Sequence, residues 1–368
     1  MSVAFPIPAS PPKRRFPLKQ PLASDGLIGI DIGTYAIKIA QLSRRGTAMR
    51  ASARWVLPLD EACRPTTPRR LAATMEFFRS EWPELKTMFR GYRAAVTLPI
   101  SCTPLRVLEI PDGTRGEVES MVQSELSDEP ALSELFAFDC WEAKPPAGGT
   151  TNLTAIAVPH EASRTVANAL LCCGLECQRL DALPCTLARS TDAAERALAD
   201  TPTPPRSLAA IDLGMSTAQL VLCHQGQPGF CRTLPDCGLA TLYETLGPRL
   251  QLTADECDLL LTGVGAIGTG VPPLVASTIG SLMTPTIETL LYEAQRTLNY
   301  VSHQYSARYP TRIWLFGAGA RVCNLASVLS ERLEMDVRSW SGDSGISERD
   351  AALFGPAYAL SASCWEAT

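Results

Sequence analysis

Two short segments of the chain resemble each other and lie about half a chain apart. The first is Leu27–Thr34 (Leu-Ile-Gly-Ile-Asp-Ile-Gly-Thr) and the second is Leu208–Ser216 (Leu-Ala-Ala-Ile-Asp-Leu-Gly-Met-Ser). In each, an apolar strand pattern leads into an aspartate, a glycine and hydroxyl side chains, and another strand pattern follows. Glycine lets a backbone approach a ligand, and successive N–H groups can form an anion-binding nest. An aspartate beside bound phosphate makes sense where it holds hydrated Mg²⁺.

We therefore expect each segment to be the tip of a β-hairpin, and we expect two facing tips to clamp a metal-bound triphosphate between two lobes. Two ordinary tight turns are the alternative, since Asp and Gly are also common there. A third segment, Leu315–Ala320 (Leu-Phe-Gly-Ala-Gly-Ala), predicts a glycine-rich turn between a strand and a helix.

In this order, the three segments resemble the two phosphate motifs and the adenosine motif of the actin, Hsp70 and sugar-kinase superfamily. The resemblance implies that ATP and Mg²⁺ are the cofactors and that Asp31 and Asp212 bind the metal. Lys38 sits where actin-like members place a phosphate-contacting lysine. The residues matched to these motifs are Asp31, Gly33, Thr34, Tyr35, Lys38, Asp212, Gly214, Ser216, Thr217, Gly317, Gly319 and Ala320.

Other segments resemble the PilM family of type IV pilus assembly proteins, to which FtsA and the cytoplasmic part of GspL are related. They are Leu105–Pro111 before an acidic helix, Arg232–Pro235, Glu293–Tyr300 and Gly355–Ala359, within a resemblance that covers residues 26–362. By this resemblance, Glu293 and Arg296 approach the adenosine from a long helix. The alternative is a solvated ion pair at helical spacing three.

The resemblance implies a cytoplasmic ATP-binding adaptor, peripheral at the inner membrane, that binds the N-terminal peptide of a PilN-like membrane protein. Membrane contact is then indirect, and self-association is compatible with it. Catalysis is at most slow ATP hydrolysis; Glu161 and Asp212 are the candidates for positioning water. An FtsA-like filament or membrane anchor and a small-molecule kinase of the same superfamily remain the alternatives.

Three positions depart from the family pattern. Ala318 stands in the middle of a turn that often has three glycines, and Cys323 stands where proline is usual. One methyl group at position 318 is compatible with nucleotide binding if its φ is negative. Tyr35 is bulky for a position usually filled by a small residue, so it could narrow the phosphate site.

Composition narrows the class of protein further. The 368 residues are 46% hydrophobic and 19% charged, with a net charge of −5, so a folded core is expected and nucleic acid is not an expected partner. The three histidines share no metal-ligand spacing. The 13 cysteines form no paired framework, which favours buried thiols in a reducing cytoplasm.

The pattern of elements predicts an α/β chain with an actin-like (ribonuclease H-like) duplicated fold, two lobes and an inserted α+β subdomain. A long helix is expected to begin at Thr284-Pro285. The uncharged stretch Leu259–Ile287 is interpreted as a glycine-rich connection, not a membrane span. The expected parts are a Pro-rich basic tail at 1–24, a first lobe at 25–99 and 151–204, the insertion at 100–150, a second lobe at 205–350 with a hinge near Thr201–Pro205, and a helix at 351–368 returning to the first lobe.

Overall fold

A computed structural model describes residues 25–46, 48–129, 132, 135–142, 150–198, 207–266, 270–304, 309–341 and 348–365. The chain divides into two compact units. The first ends at Leu183 and resumes at Pro356, and the second comprises Pro184–Gly355. The expected tail at 1–24 and the expected hinge at Thr201–Pro205 lie outside the described residues.

The first unit is built on a five-stranded mixed sheet in the order β3-β2-β1-β4-β8. β1 is antiparallel to β2 and parallel to β4, and all five of its residues are buried. Helices α1 and α3 contribute to the same apolar core as β1. The elements are β1 (Ile28–Ile32), β2 (Ala36–Arg45), β3 (Ala48–Pro58), α1 (Leu71–Leu85), β4 (Arg93–Leu98), β5 (Leu105–Pro111), α2 (Arg115–Ser127), β6 (Phe136–Glu142), β7 (Thr150–Pro159), α3 (His160–Cys172) and β8 (Glu176–Ala182).

The C-terminal helix α9 (Glu348–Ala362) packs directly on β1 through small residues. A Cβ added to Gly29 would overlap the carbonyl oxygen of Ala357. The Ser361 hydroxyl accepts from the Leu42 N–H at 2.9 Å, and its carbonyl accepts from the Leu27 N–H at 3.1 Å. The helix expected at 351–368 is divided: Glu348–Gly355 belong to the second unit, and the first unit resumes at Pro356.

The insertion is larger than the sequence indicated. Its three-stranded antiparallel sheet has the order β5-β7-β6, so β7 is the central strand. The sequence pattern ends the insertion at residue 150 and places the rest of β7 in the first lobe. β7 is the middle strand of this sheet, and its buried residues Leu153, Ala155 and Ala157 pack against Val122 and Leu126 of α2. The strand is therefore part of the core of the insertion.

The second unit repeats the plan of the first. Its five-stranded sheet has the order β11-β10-β9-β12-β13, with β9 antiparallel to β10 and parallel to β12. Each strand corresponds in order and direction to one strand of the first unit, as the repeated segments predict. The elements are α4 (Leu183–Leu198), β9 (Ser207–Leu213), β10 (Ala218–His224), β11 (Gln227–Leu234), α5 (Ala240–Leu250), α6 (Ala254–Gly263), α7 (Pro273–Gln304), β12 (Arg312–Phe316), α8 (Leu325–Leu333) and β13 (Asp336–Ser339).

Helix α4 was expected in the first lobe, but all except its first residue belong to the second unit. The Trp340 indole donates to the Ser190 carbonyl at 2.9 Å, and Glu195 pairs with Arg312 of β12 at 2.5 Å. Because these partners come from residues much later in the chain, local sequence patterns could not reveal them.

Helix α7 begins at Pro273, eleven residues before the expected start at Thr284-Pro285, and Pro285 lies inside it. Ile279, Met283 and Ile287, spaced four residues apart, are all buried. This packing offsets the backbone hydrogen bond that a proline removes. Only part of the predicted glycine-rich connection is therefore irregular.

Residues Pro273–His303 of α7 are long and apolar enough to cross a membrane, by length and composition alone. Core helices of folded proteins meet the same criterion. Leu291, Ala294, Leu298 and Val301 of this helix are buried, and so is Glu293. These features describe a helix packed into the second unit.

Candidate functional site

The first tip is the turn between β1 and β2. The Gly33 N–H donates to the Ala36 carbonyl at 3.1 Å, and a Cβ on Gly33 would lie 2.9 Å from that oxygen. Thr34 and Tyr35 form the half-exposed middle of the turn. The hairpin expected from the sequence is present, with Gly33 in its turn.

Asp31 and Lys38 face each other across this hairpin, where they are register partners. Asp31 Oδ2 lies 2.6 Å from Lys38 Nζ, and both side chains are largely buried. The lysine charge is thus partly offset by the aspartate. A cation or phosphate that binds here must compete with, or add to, an existing ion pair.

Tyr35 is covered by an arginine. The guanidinium carbon of Arg64 lies 3.8 Å from the centroid of the Tyr35 ring. The Tyr35 carbonyl accepts from the Leu59 N–H at 2.8 Å. The bulky side chain noted in the sequence is therefore one half of a stacked cation–π pair.

The second tip, between β9 and β10, has the same geometry. The Gly214 N–H donates to the Thr217 carbonyl at 3.1 Å, and Asp212 pairs in register with Gln219 as Asp31 does with Lys38. Ser216 is exposed and Thr217 is half-buried. The repeat seen in the sequence is thus a repeat of hydrogen bonds as well as of residue types.

The N-terminus of α5 supports the second tip. The N–H groups of Leu239 and Ala240 donate to the carbonyls of Gly214 and Met215, each at 2.9 Å. A Cβ on Gly238 would overlap the backbone of Met215 and Ser216. The tip is therefore fixed from behind by a glycine contact and two hydrogen bonds.

The glycine-rich turn after β12 contacts the second tip. Gly317 has φ +80° and ψ −172°, and a Cβ there would lie 2.5 Å from Asp212 Oδ1 and 2.7 Å from the Leu213 carbonyl oxygen. Its N–H donates to the Ala352 carbonyl at 3.1 Å. A Cβ on Gly319 would overlap the Leu213 side chain, and Ala320 is buried. Two motifs distant in sequence thus form one continuous surface.

Ala318 does not have a positive φ. The positive φ that this turn requires occurs at Gly317, and glycine adopts it without strain. The departure from three consecutive glycines therefore meets the condition under which the extra methyl group is tolerated.

A cavity of about 700 Å³ opens beside this surface within the second unit. Tyr243, Asp258 and Arg321 form a hydrogen-bonded set on its wall. The Tyr243 hydroxyl donates to Asp258 Oδ1 at 3.0 Å, and Arg321 Nη2 donates to Asp258 Oδ2 at 3.2 Å. Burial and the neighbouring Asp258 carboxylate raise the pKa of Tyr243 above its ordinary value. The lining residues are Met215, Ala240, Tyr243, Glu244, Ala254, Asp255, Asp258, Leu259 and Arg321.

Sequence reasoning missed this polar set. Arg321 directly follows the predicted turn and could have been noticed, whereas Tyr243 and Asp258 belong to no motif that was singled out. The lining includes neither Glu293 nor Arg296. Glu293 Oε2 instead accepts from Arg232 Nη2 at 2.7 Å, and Arg296, mostly exposed, lies 3.6 Å from Glu293 Oε1.

Metal ligands are sparse. Across the part of the chain that the structure describes, three or more His, Cys, Asp or Glu side chains never gather in a group able to hold a metal ion. Glu161, one of the two candidates for positioning water, is exposed in the first turn of α3. A metal held mainly by protein groups is therefore not supported among the described residues.

The two repeated sheets, each with an Asp-x-Gly hairpin tip, define an actin-like fold. Comparison with solved structures agrees. A structure described as a PilM-PilN type IV pilus biogenesis complex matches with TM-score 0.72 at 20% identity, covering 93% of this chain and 99% of that one. The ethanolamine utilization protein EutJ from Carboxydothermus hydrogenoformans matches with TM-score 0.52 at 13% identity, covering 94% and 91%.

Residues 29–340 match the model of the family described as type IV pilus assembly protein PilM, and the chain belongs to that family. A comparison with curated proteins gives no match. The family expected from the sequence motifs is thereby confirmed.

Proposed function

We propose that this protein is an ATP-binding adaptor of a type IV pilus assembly platform. The observation that carries the nucleotide part is the contact between the second tip and the glycine-rich turn. Asp212 packs against Gly317, and Met215 of the same tip lines the adjoining cavity. An actin-like fold with this surface is suited to bind phosphates at the tip and a nucleoside in the cavity.

The residues fit Mg-ATP by the chemistry of their donors. The N–H groups of Gly33 and Gly214 already donate within their turns, so the amides of the turn residues that follow them are the ones suited to phosphate oxygens. Mg²⁺ usually retains waters and binds through one or two carboxylates plus phosphates, so aspartates such as Asp31 and Asp212 suit it without a cage of protein ligands. Bound Mg²⁺ would neutralise phosphate charge.

For the nucleoside, Tyr243, Asp258 and Arg321 are the polar groups that the cavity offers. We place the adenosine there. Direct contact by Glu293 and Arg296 remains a prediction from the family resemblance. Substituting Asp258 by Asn tests the cavity, and substituting Arg296 by Ala tests the helix α7 contact; the one that weakens adenosine binding identifies the site.

Titration of ATP-Mg²⁺ by thermal shift tests the nucleotide. A ligand at one hundred times its dissociation constant stabilises by about 2.7 kcal/mol, which gives a clear shift in Tm. The Asp31→Ala/Asp212→Ala double variant should lose that shift. The matched control is Glu84→Ala/Glu125→Ala, which removes two exposed carboxylates on helices α1 and α2. An unchanged Tm of the wild-type protein at saturating ATP would contradict the proposal.

The partner is a PilN-like inner-membrane protein, bound through its N-terminal cytoplasmic peptide. Membership of the PilM family and the likeness to the PilM-PilN complex support this assignment. We place the peptide at the insertion of the first unit. Its sheet has two outer strands, β5 and β6, each of which pairs only with β7 in the described sheet, so strand addition is available.

A fluorescently labelled peptide of this kind should bind the wild-type protein saturably. Leu135, 63% exposed just before β6, is a suitable probe of the edge, and Leu171, 57% exposed on α3, is its matched control. Leu135→Asp should weaken peptide binding and Leu171→Asp should not. If both variants bind the peptide equally well, the peptide does not bind at this edge of the sheet.

This role places the protein in the cytoplasm, peripheral to the inner membrane through its partner. No catalytic turnover is required, and any ATP hydrolysis is slow. Substrate-stimulated ATP consumption with a panel of sugars would favour the kinase alternative. Direct pelleting with anionic liposomes would favour an FtsA-like anchor.

A further inference from the structure

We propose that Arg64 is a phosphate-binding residue of the first tip. None of the motifs assigns it a role, because it lies in the loop between β3 and α1. The inference rests on the proposed nucleotide binding and adds a specific cation to it. It also gives Tyr35 a function as the platform that holds this cation.

The backbone around Arg64 is well anchored. The Arg64 carbonyl accepts from the Thr66 N–H at 2.9 Å, and the preceding Cys63 carbonyl accepts from the Thr74 hydroxyl at 2.6 Å. The following Pro65 carbonyl accepts from the Ser101 hydroxyl at 3.0 Å. The arginine is thus presented from a fixed stretch of chain, not from a free loop.

At least one donor of the Arg64 side chain has no hydrogen-bond partner among the described residues. This donor is Nε, and it is buried. Buried polar atoms nearly always have partners, so an unsatisfied donor calls for an explanation. A guanidinium stacked on an aromatic ring keeps its N–H groups in its own plane, where they can bind a planar or tetrahedral anion.

The charges at the first tip lead to the same conclusion. The Lys38 ammonium is paired with Asp31 at 2.6 Å, so its charge is partly offset within the protein. Arg64 forms no ion pair with an acidic side chain in the described part of the chain, and it lies against Tyr35 in the middle of the turn. A triphosphate needs a cation there, and Arg64 is in position to supply it.

The experiment compares affinities for ATP, ADP and adenosine in the wild-type protein, Arg64→Ala, Arg64→Lys and Arg70→Ala. Arg70 is an exposed arginine six residues further on and serves as the matched control. We expect Arg64→Ala to weaken ATP binding about 10- to 100-fold, the usual loss for a hydrogen bond to a charged group, and to leave adenosine within about twofold. Arg64→Lys should be intermediate, and Arg70→Ala should match the wild-type protein.

A second pair tests the platform. Tyr35→Leu removes the ring and should weaken ATP binding as Arg64→Ala does, whereas Tyr35→Phe keeps the ring and should lose much less ATP affinity than Tyr35→Leu. Should Arg64→Ala fail to fold, Arg64→Gln keeps much of the side-chain packing and gives the same comparison. If Arg64→Ala loses as much affinity for adenosine as for ATP, or loses no affinity for either, the role of Arg64 is overturned. The proposed nucleotide binding would be unaffected by that result. If the wild-type protein itself binds no ATP, both this inference and the proposed function fail.

Discussion

Gly317 has a backbone conformation, φ +80° and ψ −172°, that only glycine adopts without strain. Its missing side chain also makes room for Asp212 Oδ1. The position therefore links a local backbone requirement to the packing of two separate motifs. Ala318, one residue later, carries neither constraint.

We expect Gly317→Ala to lower the free energy of unfolding by about 2–4 kcal/mol, through backbone strain and overlap with Asp212. Nucleotide binding should weaken as well. Ala318→Gly is the matched control and should cost only about 0.5–1 kcal/mol through unfolded-state entropy. Urea unfolding measures both variants. Equal losses would show that the turn is less constrained than its geometry indicates.

The buried pair Asp31–Lys38 allows a double-mutant cycle. Asp31→Asn should cost about 3 kcal/mol, because it leaves a largely buried ammonium without its counter-charge. Asp31→Asn/Lys38→Met should cost less than that single change, because no charge is left unpaired. Chemical denaturation of the four proteins gives the coupling energy. A purely additive cycle would contradict a direct interaction.

At this scale the sequence motifs predicted positions better than partners. The tip residues Gly33 and Gly214 and the turn at Gly317 lie as expected, since each motif encodes a local turn. Arg64 and Asp258 were missed because their contacts come from residues distant in the chain. Glu293 was recognised as important, yet its closest partner, Arg232, cannot be deduced from helical spacing.

Helix α9 approaches strand β1 closely at Gly29. Gly29→Ala should lower the free energy of unfolding by about 1–3 kcal/mol, because its Cβ overlaps the Ala357 carbonyl. Gly280, inside α7, has open space where a Cβ would stand. Gly280→Ala should therefore stabilise by about 0.5–1 kcal/mol. Calorimetry should therefore show a lower Tm for Gly29→Ala and a higher Tm for Gly280→Ala than for the wild-type protein. A lower Tm for Gly280→Ala would contradict this account of α7.

Elements with strong local patterns were predicted well, and those that depend on packing were not. β11 was missed because Pro228 and Gly229 argue against a strand, yet it is an edge strand of its sheet, where proline is tolerated. The start of α7 was misplaced because Thr284-Pro285 has the residue types of a helix start. In both cases tertiary burial outweighed local preference.

The whole molecule carries all 13 of its cysteines as thiols. Burial raises the pKa of Cys102, Cys173 and Cys177 to about 11, and that of Cys223 and Cys231 to about 12. Because the thiolate is the reactive form, these groups should react slowly at neutral pH. Cys172 and Cys364 are exposed.

Brief alkylation of the native protein at pH 7.5 should therefore modify Cys172 and Cys364 first, and unfolding should release all 13 sites. Mass spectrometry of the modified peptides measures this order. Raising the pH from 7.5 to 9 should accelerate the buried sites about 30-fold, because the thiolate fraction of a thiol rises tenfold per pH unit below its pKa. That fraction is still about 1% or less at pH 9, so the buried sites should remain slower than Cys172 and Cys364. Early labelling of Cys223 would mean that the second unit opens readily.

Helix α9 contains Pro356, a residue that a reader of the sequence would take for a simple interruption. A proline has no N–H to offer the carbonyl four residues earlier, which here belongs to Ala352. That carbonyl accepts instead from Gly317. Pro356 thus leaves the Ala352 carbonyl available to the Gly317 N–H of the glycine-rich turn. In Pro356→Ala, the new backbone N–H at position 356 and the Gly317 N–H would both be directed at that carbonyl oxygen.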